Sequence, residues 1–203
     1  MLVAILGLII GKPLLDGIFH YRFIPDTLLT IIFIAAIFAI SRKRKHIFIS
    51  LGLVVPMFGG IWYYYWFESI NFLMVGDIFG ILFVGFTISC LTRFIFNEKE
   101  VTKEVIYAAI IVYLLMAIMW AFGYFILDYL YSGSFSHPAG QHPDYYRFLY
   151  FSFVTITTLG YGDVLPLTQK ASSLAILEAI SGQMYLVVVV AWLVGMHVSR
   201  RSR

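Results

Sequence analysis

The stretch TITTLGYGDVLPLT, residues 155–168, sets Gly160 and Gly162 alternately with Leu159 and Tyr161, behind Thr155, Thr157 and Thr158 and ahead of Asp163. Its chemistry is in the backbone. A cation crossing a narrow pore must shed water, and carbonyl oxygens can replace that water without carrying a full charge, so the ion is held yet can leave. Stacked rings of carbonyls demand conformations that most residues resist. Glycine reaches them because it has no Cβ. The backbone carbonyls of Thr158, Leu159, Gly160 and Tyr161 are expected to hold the cation, with the Thr158 hydroxyl at the inner mouth. Gly162 completes the strand, Leu159 and Tyr161 point outward into packing, and Thr155, Thr157 and Asp163 support it. One chain supplies one strand of such a wall, so a symmetric oligomer is implied.

Outward from this segment, YYRFLYFSFVTI precedes it and the polar SGSFSHPAGQHPD precedes that. Asp144 can cap a helix over about 145–157, whose carbonyl end would carry a partial negative charge favourable to a cation. Tyr145, Tyr146, Phe148, Tyr150, Phe151 and Phe153 form either an aromatic collar around the filter or ordinary packing and interfacial anchors. The stretch 131–167 is too short for a soluble domain and too apolar in its middle for a plain loop. A re-entrant helix and loop fits, since irregular backbone at membrane depth is tolerated where protein buries it or it lines a watery path.

The rest of the chain points to a bilayer. Hydrophobic residues make up 61% of the 203 and charged residues 12%, against about 25% charged in soluble domains. Six apolar spans are read at roughly 1–19, 24–41, 47–67, 70–96, 105–130 and 168–198, each near the length a helix needs to cross. The first holds Lys12, Pro13 and Asp16 and is tilted, re-entrant or partly interfacial if it does not cross fully. Lys12 and Asp16 are four apart and can pair. With both termini inside, the inner side carries Arg42, Lys43, Arg44, Lys45, Arg93, Lys99, Lys103, Arg200, Arg201 and Arg203. The outer side carries Arg22, Arg147 and Lys170. Ten against three is a strong positive-inside bias, and it puts residues 131–167 outside, without use of any motif. No secretory signal is expected, for want of a basic leader and a cleavage site. The single Cys90 forms no intrachain disulfide.

TITTLGYGDVLPLT with the span after it resembles the pore module of the potassium channel superfamily, whose filter TVGYG is closely similar. The resemblance covers about 105–198, and LEAISGQMYLVVVVAWLVG, residues 177–195, is similar to the inner helix of small bacterial members. It implies an all-α membrane protein of six transmembrane helices, with a re-entrant pore helix and filter loop between helices 5 and 6. Residues 1–96 form an N-terminal four-helix membrane domain, 97–104 a cytoplasmic linker and 105–203 the pore domain. It also implies a homotetramer in the cell membrane that conducts K+ passively, with K+ in the filter, no other cofactor and no enzymatic activity. Leu159 stands where valine is commoner. Val154 stands where some relatives carry glutamate, so a glutamate–aspartate pair behind the filter is missing and Asp163 needs another partner or faces water. Gly182 is implied to be the hinge of the inner helix; the alternative is a glycine that permits close helix packing.

Within the last span, Leu186, Val190 and Val194 share a face at spacing four and can form a hydrophobic gate that opens by wetting. Glu178 is an intramembrane acid, either behind the filter, bonded to the pore helix and tuning gating or pH response, or a buried structural acid. A voltage sensor needs basic residues at every third position; span 70–96 carries Arg93 alone, so little intrinsic voltage dependence is expected. Asp77 in that span lies near the outer interface, lines a small aqueous crevice or pairs with Lys12. Arg42, Lys43, Arg44 and Lys45 suit anionic lipid headgroups or serve only as a topology signal. His137 and His142 of the outer loop can titrate near neutral pH. No cytoplasmic nucleotide or calcium domain is expected after Arg203, and nucleic acid is not an expected partner. Competing functions are a nonselective cation channel and a non-conducting regulatory subunit. An intramembrane enzyme lacks a nucleophile–base pair, a metal motif and a phosphate loop. A secondary transporter would show inverted repeats with broken helices, which this sequence does not display.

Overall fold

The computed structural model describes residues 1–15, 30–32, 34–37, 44–67, 70–136 and 145–201. The chain divides into two compact units, Met1–Phe79 and Gly80–Arg203. Among the described residues it is helical, with one isolated antiparallel bridge and no strand.

The first unit holds α1 (Leu2–Leu15), a helical stretch at 30–32 and 34–37, α2 (Arg44–Phe67) and the start of α3 (Ile70–Asn97). α2 and α3 approach closely where Gly60 faces Gly76: a Cβ on Gly60 would stand 3.0 Å from the Gly76 Cα. Small residues at such a crossing let two backbones touch in lipid. Pro56 lies inside α2 and removes one N–H from its ladder. Asp77 is buried, and its Oδ2 meets no hydrogen-bond partner among the described residues. The 24–41 span lies largely outside the described residues, as do the Lys12–Asp16 and Lys12–Asp77 pairings, the Arg42 and Lys43 end of the basic run, His137, His142 and the Asp144 cap.

The second unit holds the rest of α3, then α4 (Lys103–Leu130), α5 (Tyr145–Ile156) and α6 (Gln169–Arg201). Thr102 starts α4 as its N-cap, its hydroxyl accepting from the Val105 N–H at 3.4 Å. The short α5 packs against both α4 and α6, and α4 packs on α6. Its buried side is Phe148, Leu149, Phe151, Ser152, Val154 and Ile156. Phe148 and Phe151 meet Phe135 edge to face at 5.3 and 5.4 Å, and Phe151 meets Tyr124 at 5.1 Å. These aromatics therefore pack within one chain between α4 and α5. Among the described residues, three helices are long and apolar enough to cross a membrane, over Met74–Asn97, Lys103–Leu130 and Gln169–Val198, and Lys45–Gly60 is a shorter apolar helix.

The connection after α4 is tied to the segment after residue 163. The Ser136 N–H donates to the Leu165 carbonyl at 2.9 Å, the Leu167 N–H to the Ser134 carbonyl at 2.8 Å, and the Leu165 N–H to the Ser136 hydroxyl at 2.8 Å. Asp128, buried near the end of α4, accepts from the Phe135 N–H at 3.1 Å. Lys170 lies 3.3 Å from the centre of the Tyr131 ring, a cation over an aromatic face. Asp128→Ala is expected to leave the Phe135 amide without this acceptor and to cost about 1–3 kcal/mol. Thermal unfolding in detergent measures it, together with faster proteolysis near residues 131–136.

Candidate functional site

Helix α5 ends where the segment bearing Gly160 and Gly162 begins, and the junction accounts for how the segment lies. The last four carbonyls of a helix have no partner inside it. Here each finds one. Phe153 accepts from the Thr157 N–H at 3.2 Å and from the Thr157 hydroxyl at 2.5 Å. Val154 accepts from the amides of Leu159 and Gly160 at 3.0 and 3.4 Å, and Thr155 accepts from the Thr158 amide at 3.0 Å. Ile156 accepts from the Tyr113 hydroxyl of α4 at 2.8 Å.

These bonds orient the carbonyls. A trans peptide points its C=O opposite to its N–H, and no peptide among the described residues is cis. The amides of Thr158, Leu159 and Gly160 are all turned to the end of α5. The carbonyls sharing those peptides, on Thr157, Thr158 and Leu159, therefore turn away from it. Onward, φ is positive at Thr158 (60°), Gly160 (57°) and Gly162 (76°), but not at Leu159 or Tyr161. Thr158 is the one described residue other than glycine with positive φ, a conformation that persists where the surroundings over-determine it. Residues 157–163 are exposed in the chain. The arrangement is a hooked, irregular segment that turns the Thr157, Thr158 and Leu159 carbonyls to one side, where they could meet a cation.

The supporting residues are distributed around this hook. Thr155 is half-buried. Asp163 faces solvent, accepts from the Val164 N–H at 3.1 Å and interacts with the Tyr150 hydroxyl. Leu159 and Tyr161 are 58% and 66% exposed in the isolated chain, so packing around them requires another surface. Gly182 of α6 is buried against the base of the hook: a Cβ there would run into the Ile156 side chain and stand 3.2 Å from its carbonyl oxygen. Close approach of α6 to α5 thus requires a residue without Cβ at 182. Leu186, Val190 and Val194 are exposed along α6.

Glu178 is the acid that joins the elements. It is fully buried, and its carboxyl is hydrogen-bonded to the Tyr124 hydroxyl of α4 and the Ser152 hydroxyl of α5. Both alternatives read from the sequence, an acid bonded to the helix before the glycine-bearing segment and a buried structural acid, are compatible with this geometry. One level away, the Tyr185 hydroxyl of α6 donates to the Ala109 carbonyl of α4 at 2.8 Å, and its ring stacks on Tyr113 at 6.2 Å. Tyr113, Tyr124, Ser152 and Tyr185 were not singled out from the sequence. A hydroxyl facing the core of an apolar helix was the available signal, but fourteen tyrosines in the chain share it or its lookalikes.

Comparison with curated proteins and with solved structures found no match. Residues 102–198 match a family model described as "Ion channel". The matched stretch opens at the Thr102 cap of α4 and closes inside α6, so it contains every residue of the site above. It points to a transporter-type protein rather than an enzyme. Together with the long apolar helices, it supports an ion channel domain over residues 102–198 and suggests a membrane protein.

Proposed function

We propose that the chain is one subunit of a homotetrameric, potassium-selective channel in the cell membrane. It conducts K+ passively, without intrinsic voltage gating, through a filter lined by residues 158–162. The observation that carries this reading is the common direction of the Thr158 and Leu159 carbonyls, away from α5, continued by positive φ at Gly160 and Gly162. Copies around an axis would close these strands into rings of oxygens that replace the hydration shell of K+, as four such loops do in known filters. Neighbouring copies would also cover Leu159 and Tyr161. In this architecture α5 re-enters from the outer side, six spans place both termini inside, and residues 1–96 form a membrane domain of their own. The exposed Leu186, Val190 and Val194 face of α6 lines the inner cavity and can gate by dewetting. Arg42, Lys43, Arg44 and Lys45 contact anionic lipid.

The test is K+ efflux from liposomes holding the purified full chain, followed by reversal potentials in mixed K+ and Na+. Efflux with a reversal potential that tracks the K+ gradient supports the proposal. A reversal potential near zero in mixed salts identifies a nonselective cation channel, and no efflux identifies a non-conducting subunit.

A further inference from the structure

We propose that Glu178 is a positioning residue that works as a neutral carboxylic acid, its proton completing a hydrogen-bond chain that fixes α5 between α4 and α6. This rests on the conduction reading above for its effect on flux, and on hydrogen counting for the proton itself.

Three oxygen–oxygen contacts meet at this point. The Tyr124 hydroxyl meets Oε2 of Glu178, the Ser152 hydroxyl meets Oε1, and the same Ser152 hydroxyl lies 2.7 Å from the Ala117 carbonyl oxygen. A hydroxyl carries one hydrogen, and a carbonyl can only accept. The Ser152 hydrogen therefore goes to Ala117. The contact between Ser152 Oγ and Glu178 Oε1 then needs a hydrogen from the carboxyl group. With Glu178 protonated, three hydrogens serve three contacts: Tyr124 to Oε2, Oε1–H to Ser152, and Ser152 to Ala117. With Glu178 ionised, two hydrogens remain and one pair of oxygens is left facing without a proton between them.

The surroundings favour the neutral form. Tyr124, Ser152 and Glu178 are each fully buried, where an ionised carboxylate is costly unless paired. The titratable groups facing Glu178 are Tyr124 and, further off, Tyr113, both of α4; α5 presents the Ser152 hydroxyl. No cation is among its described partners. A pair of hydroxyls stabilises either form only as far as its hydrogens reach.

The chain acts on the filter through α5. Ser152 lies one turn before Ile156, and Val154 and Ile156 are the carbonyls that hold the hook and the Tyr113 hydroxyl. Gly182, one turn beyond Glu178, touches the same Ile156. Losing the Glu178 proton frees α5 to turn, and the Thr158 and Leu159 carbonyls turn with it.

The experiment is K+ flux from liposomes holding the full chain, with pH set equally on both sides from about 6 to about 9.5, below the ordinary titration of tyrosine near 10. Wild-type flux is expected to fall about tenfold across this window. Glu178→Gln keeps an acceptor for Tyr124 and a donor for Ser152, so its flux is expected to vary less than about twofold. Infrared difference spectra between the two proteins supply a readout independent of conduction. A protonated-carboxyl stretch is expected in the wild type at neutral pH, lost on raising the pH and missing in Glu178→Gln. A missing stretch at neutral pH overturns the proposal. So does a stretch that is present while wild-type flux stays flat. Absence of flux from both proteins at every pH is a failure of the conduction reading instead, and the infrared band alone then decides the state of Glu178.

Discussion

Gly160→Ala is expected to abolish K+ flux while leaving the folded chain intact. Gly160 holds φ at 57°, a left-handed conformation that costs a residue with a Cβ about 1–2 kcal/mol. Among the described residues, no atom beyond its two chain neighbours stands within 4 Å of the position that Cβ would take, so within the described part of one subunit the cost is the backbone term alone. In a tetramer the penalty falls on one ring of the filter from every subunit, about 4–8 kcal/mol together. The ring relieves it by rotating its peptides, which turns carbonyls off the axis. A loss of at least about a hundredfold in efflux follows, with thermal stability of the solubilised chain lowered by no more than about 2 kcal/mol. Alanine at this position conducting at the wild-type rate would remove residues 158–162 from the ion path.

Gly182→Ala is expected to act differently, through packing. Its new methyl overlaps Ile156 at the base of the hook, and overfilling a packed interior costs about 1–3 kcal/mol. The substitution should therefore lower the unfolding midpoint and loosen the contact between α5 and α6. A hinge glycine predicts the opposite pattern. Alanine in mid-helix has better helix propensity than glycine by about 1 kcal/mol, so a variant that merely stiffens a hinge would be as stable as the wild type or more so. Thermal unfolding of the solubilised protein separates the two without any measurement of current. In an Ile156→Ala background, which lacks the overlapping Cγ1, Gly182→Ala should cost less than in the wild type.

The segment after α5 stood out in the sequence because the chemistry proposed for it depends on residue type at the backbone. Positive φ at Gly160 and Gly162 follows from what glycine adopts most freely, and the alternation with Leu159 and Tyr161 shows at once in the letters; positive φ at Thr158 does not. The helix before it was expected over about 145–157 and runs Tyr145–Ile156. The spans on either side, expected at 105–130 and 168–198, appear as Lys103–Leu130 and Gln169–Arg201. Long apolar runs bounded by polar residues report their own ends, since each helix satisfies its backbone internally.

The partners of the buried hydroxyls were not readable in this way. Tyr113 finds Ile156 across 43 positions, Tyr124 finds Glu178 across 54, and Tyr185 finds Ala109 across 76. For Glu178 and Gly182, spacing located the residues on the inner helix and left their roles open. Composition and periodicity determined that this chain is apolar and helical, and the spacing of Gly160 and Gly162 marked the segment after α5. Which hydroxyl meets which acid, and which side chain fills the space at Gly182, was decided only by tertiary structure. Those contacts depend on the rotation and depth of one helix against another, and that register is set by ridge-and-groove packing over the whole length of both.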